Sequence, residues 1–71
     1  MNAAQMVRAM QWVEVSSEYA PDTRRMIRNE RIAVTAAVKS GKGIAEAIAQ
    51  ANETAAMWGV DLAAVKMPDA D

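Results

Sequence analysis

A chain of 71 residues has room for one domain, and the absence of cysteine and histidine excludes disulfides, thiol chemistry and the commonest transition-metal ligand. Apolar residues make up 52% of the sequence, but alanine supplies much of that share, phenylalanine is absent, and the aromatics are only Trp12, Tyr19 and Trp58. The net charge of −1 gives no global case for nucleic acid or a membrane surface as partner.

Residues 3–19 read as a first helix. Ala3, Met6, Val7, Met10 and Val13 recur at helical spacing and form one apolar stripe. Trp12, Val15 and Tyr19 form a second, roughly opposite it. A surface helix needs only one apolar side, so the second stripe points to a further neighbour. Trp12 to Ser16 also alternates like a short strand, which leaves the end of this helix open.

Ala20-Pro21-Asp22 interrupts the pattern, because proline disfavours helix in the residue before it. Asp22 or Thr23 is expected to cap a second helix over residues 23–40. Met26, Ile27, Ala33, Val34, Ala37 and Val38 share one face of it. Arg24, Arg28, Arg31 and Lys39 share the other. Glu30 falls among the apolar positions and Ile32 among the basic ones. A buried carboxylate there requires a partner, and a nearby arginine is the expected one.

Ser40 to Gly43 is a turn, with Gly41 suited to the left-handed position that ends a helix. The third helix spans 44–58, its stripe running Ile44, Ala47, Ile48, Ala51, Ala55, Trp58. Helices two and three then form an antiparallel αα-hairpin. Gly59 stops the third helix, Asp61 caps a short fourth turn at 62–66, and residues 67–71 read as a frayed tail. The fold class is therefore all-α, a three-helix arrangement in a single domain over 1–71.

Charge is uneven along the chain. Residues 1–42 carry seven Lys/Arg against four Asp/Glu, a net +3, while residues 43–71 carry one Lys against five acids, a net −4. Such polarisation suits pairing with a copy or with a charged partner. No apolar run approaches the ~20 residues that span a bilayer. The N-terminus lacks a basic segment followed by an apolar one, so a cytoplasmic location is the expectation.

Enzymatic chemistry finds little support. Triads and dyads built on histidine or cysteine are excluded, and Ser16, Ser17 and Ser40 have no evident base. Asp61, Asp69 and Asp71 do not match a calcium loop. Ser40-Gly41-Lys42-Gly43 lacks the first glycine and the Ser/Thr of a phosphate loop, since position 36 is alanine and position 43 glycine. No catalytic residue, metal or cofactor is expected.

A core this alanine-rich supplies only roughly 3–5 kcal/mol of net stability in a chain of this length. Association is the remaining way to complete it. Trp12, Tyr19, Arg24, Arg28, Arg31 and Ile32 are the candidate partner-binding residues, aromatics and Ile32 as anchors and arginines as selectors of acidic surface. The function expected is non-catalytic binding, as an adaptor or inhibitor on a larger protein partner, with the chain itself a homodimer. The composition is of a kind common among small accessory and phage-encoded proteins. One alternative is a nucleic-acid-binding module that uses the Arg24, Arg28, Arg31 and Lys39 face. Another is a structural subunit of a larger assembly. A helix-turn-helix with its turn near Asn52 is disfavoured, because the third helical stripe runs through that point unbroken.

Overall fold

The computed structural model describes residues 1–65. Among them lie three helices, α1 (Ala3–Val15), α2 (Pro21–Ser40) and α3 (Ile44–Met57), and one 3-10 turn (Leu62–Ala64), with no strand. The expected all-α fold and the α2–α3 hairpin are present. The expected tail, 67–71, lies outside the described residues.

α1 starts in a capping box. The Asn2 side chain accepts from the Gln5 N–H at 2.8 Å, and the Gln5 side chain accepts from the Asn2 N–H at 2.9 Å. The helix ends at Val15, four residues earlier than its apolar pattern suggests. Ser16 is extended (φ −84°, ψ 127°), its hydroxyl accepts from the Glu18 N–H at 3.3 Å, and its carbonyl accepts from the Tyr19 N–H at 3.4 Å. A serine side chain offers nearby backbone groups an alternative to the helix, and here the alternative wins. The second stripe is broken as a result: Trp12 and Val15 stay on α1, while Tyr19 belongs to the loop.

α2 begins at Pro21 rather than at Thr23, and neither Asp22 nor Thr23 caps it. Ala20 takes the N-cap position in extended conformation (φ −62°, ψ 152°). Proline fits the first helical position because its φ is already helical and it has no N–H to satisfy. Asp22 sits in the first turn, where its charge complements the helix dipole, and accepts from Arg25 at 3.3 Å. At the far end Gly41 is left-handed (φ 72°) and donates to the Ala37 carbonyl at 2.9 Å, as anticipated.

α3 closes in a two-bond cap. Val60 N–H donates to the Ala55 carbonyl at 2.8 Å and Gly59 N–H to that of Ala56 at 3.0 Å, with Gly59 at φ 77°. This reversal drops Val60 and Leu62 into the core, and the Asp61 side chain caps the 3-10 turn by accepting from Ala63 N–H at 3.1 Å. Trp58 leaves the helical stripe at the C-cap and is half-exposed, so it does not complete the α3 core face.

The core consists of Met6, Ala9, Met10 and Val13 from α1, Ile27 and Val34 from α2, Ala51 and Ala55 from α3, and Val60 and Leu62. Three of these ten residues are alanine, and among the described residues no polar residue is buried. α2 runs between its two neighbours, with α1 antiparallel along one flank and α3 along the other. Its buried line therefore narrows to Ile27 and Val34, and Ala33 and Val38 of the expected apolar face are exposed. At 20 residues α2 is about 30 Å long, and at 13 residues α1 is about 20 Å, so α1 cannot cover the whole of α2. The extents of 32 × 31 × 16 Å describe a slab one layer of helices thick, with most residues near a surface.

Candidate interaction surfaces

Two surfaces collect the residues singled out from the sequence, Arg24 excepted, and they are separate. The first is a cleft of about 390 Å³ lined by Trp12 from α1, Glu18 and Tyr19 from the following loop, and Asp61, Ala64 and Val65 from the C-terminal segment. Trp12 is 37% exposed. Tyr19 is half-buried and packs against the core, so it forms wall rather than free surface. Two carboxylates, Glu18 and Asp61, stand at a cleft otherwise aromatic and aliphatic.

The second surface is the outer side of α2. Arg31, Ile32, Thr35, Ala36 and Lys39 line a shallow depression of about 220 Å³, and Ile32 is 49% exposed. Arg28 shares this side one turn earlier and is exposed. Trp12 and Ile32 thus line different sites, with no lining residue in common.

The three candidate arginines are in three different situations. Arg31 is fixed by α1: its Nε donates to Glu14 Oε2 at 2.6 Å and its Nη2 to Glu14 Oε1 at 3.1 Å, a two-pronged pair joining α1 to α2. The Arg31 and Glu14 side chains are only 25% and 15% exposed. The hydrogen bond to Glu14 raises the Arg31 pKa above its ordinary value, with the charge of Glu14 adding to it and desolvation opposing, so Arg31 stays a cation. Glu14, not Glu30, is therefore the half-buried acid that an arginine neutralises. Glu30 is only half-buried and takes no charged partner among the described residues, because water still reaches it. Arg24 is half-buried, and its Nε is buried without a hydrogen-bond partner. Arg28 is exposed and, among the described residues, makes no ion pair, as is also true of Lys39. Arg25, outside the candidate set, pairs with Asp22.

A third feature, missed in the sequence, is an apolar groove of about 390 Å³ between α1 and α2, lined by Ala3, Ala4, Val7, Arg8, Gln11, Thr35 and Val38. Its advance sign was the presence of Ala3, Val7 and Val38 in two apolar stripes. Glu18, Ala64 and Val65 of the cleft were missed as well: the loop after α1 places Glu18 there, and the turn at Gly59 brings Ala64 and Val65 to Trp12. Among the described residues no helix is long and apolar enough to cross a membrane, and no cluster of three or more carboxylates is placed to hold a metal ion.

The fold and these surfaces define a small all-helical protein with an aromatic-acidic cleft and a basic aliphatic ridge. No protein-family model, curated protein or solved structure matches the chain.

Proposed function

We propose that this chain is a non-catalytic interaction module that docks as an adaptor or inhibitor on a larger protein. The observation that carries the reading is Ile32, half-exposed at the centre of a helix face on which the charges left free, Arg28 and Lys39, are both basic. Full burial of an isoleucine side chain is worth about 1.5–3 kcal/mol, so covering the exposed half returns on the order of 1 kcal/mol. The bases around it select an acidic partner and speed the encounter more than they add affinity. Trp12 offers a second anchor at the cleft, of the residue type that most often dominates interfaces.

The test is capture from the native host with wild-type protein and with Ile32→Asp, both checked by circular dichroism. The reading expects a partner held by the wild type and lost by the folded variant. Identical capture by the two, or unfolding of Ile32→Asp at every concentration, contradicts it.

A nucleic-acid reading draws on the same bases and is weaker for a structural reason. Of Arg24, Arg28, Arg31 and Lys39, Arg31 is occupied by Glu14 and Arg24 is half-buried. Two free cations neutralise about two phosphates, which gives a salt slope near −2 on duplex DNA. Absence of duplex binding at low salt removes this alternative.

A further inference from the structure

We infer that copies of this chain associate head to tail, the basic ridge of α2 around Ile32 on one copy seating in the Trp12–Tyr19 cleft of the next. The inference rests on reading the two surfaces as docking sites, and it assigns them to each other.

Charge complementarity is the first argument. The cleft carries the Glu18 and Asp61 carboxylates, while the ridge carries Arg28 and Lys39, which no acid of their own chain pairs among the described residues. Chemistry is the second. Ile32 and Ala36 present aliphatic surface to a cleft walled by Trp12, Tyr19, Ala64 and Val65. An arginine beside an exposed tryptophan also gains from the electron-rich ring face. Placement is the third: ridge and cleft share no residue and belong to different elements, so one copy can offer both at once.

The same charges argue against a two-fold dimer through this helix. In an antiparallel α2–α2 contact centred on Ile32, Lys39 of one copy faces Arg25 of the other, already offset by its own Asp22, and the unpaired acid of the helix, Glu30, lies two residues from Ile32 and off this face, so no free acid meets Arg28 or Lys39. Like charges set opposite one another disfavour association. A ridge-to-cleft contact is heterologous instead: it closes into a ring if the rotation permits and continues as an open chain if it does not.

The experiment uses three forms of the full chain in sedimentation at low ionic strength. The ridge variant is Arg28→Glu with Lys39→Glu. The cleft variant is Glu18→Gln with Asp61→Asn, which leaves the cleft neutral towards either form of the ridge and keeps an asparagine able to cap the 3-10 turn. Wild type is expected to form species beyond the monomer, weakened by salt. Each variant alone should associate at least about tenfold more weakly, since its own ridge and cleft no longer match. An equimolar mixture leaves one intact ridge facing one intact cleft, so it should form one-to-one heterodimers and nothing larger. Ile32→Asp serves as a second ridge variant should charge reversal disturb folding. A monomeric wild type at all concentrations overturns the proposal, as does a mixture that fails to pair or variants that self-associate like wild type. A monomeric wild type that still captures a larger partner through Ile32 refutes the self-association alone and leaves the docking reading standing.

Discussion

Ile27→Ala tests how thin the core is. Ile27 is fully buried on α2, and with Val34 it is the helix's fully buried contribution to the core, beside the partly buried Met26. The substitution removes three carbon atoms, about 2.4 kcal/mol of transfer free energy at about 0.8 kcal/mol per methylene. The cavity left behind brings the cost of such truncations to about 2–5 kcal/mol. A core of this size supplies a total of roughly 3–5 kcal/mol. The loss is therefore comparable to the whole, and Ile27→Ala should leave a large unfolded fraction without denaturant. Ile27→Val, at about 0.5–1.5 kcal/mol, should stay folded with a lower urea midpoint. Urea titration followed by far-ultraviolet circular dichroism reads both. A sharp Ile27→Ala transition displaced by less than about 1 kcal/mol would mean that other contacts hold the fold and that the reasoning fails.

Two further outcomes follow from local geometry. Gly59→Ala should cost about 1–2 kcal/mol in thermal or urea unfolding, because Gly59 is left-handed at φ 77° and an added Cβ meets nothing within 4 Å, so the cost is backbone strain alone. Gly59→Asn should recover part of it, since asparagine tolerates that conformation. A double-mutant cycle on Glu14→Gln and Arg31→Gln should give a coupling of about 1 kcal/mol or more, above the usual exposed pair, because the contact is two-pronged and mostly shielded. A coupling near zero would show that the pair does not fasten α1 to α2.

Much of the fold was legible in the sequence because it rests on local rules. Met6, Met10 and Val13 stand at helical spacing and are buried. Gly41 and Gly59 end helices because only glycine takes their positive φ freely, and Asp61 caps the turn it precedes. Misreadings fell where a local competitor or a distant contact decides. The Ser16 hydroxyl and carbonyl end α1 inside an apolar pattern that continues to Tyr19. Pro21 starts α2 itself, although proline more often reads as a boundary. The interaction surfaces were only half visible. Trp12 and Ile32 stood out as apolar residues off the core stripes, and both remain partly exposed. Periodicity within one helix could not show that Arg31 meets Glu14 across 17 residues of chain, or that the Gly59 reversal carries Asp61 and Val65 to Trp12.

The central claim is that this slab of helices buries too little to suffice alone and is completed by association through Ile32 and Trp12. The most direct measurement is the urea midpoint of wild type across about a hundredfold range of protein concentration, beside that of Ile32→Asp. The wild-type midpoint should climb with concentration and the Ile32→Asp midpoint should not. A wild-type midpoint independent of concentration, in a sample that sediments as a monomer throughout, would contradict it.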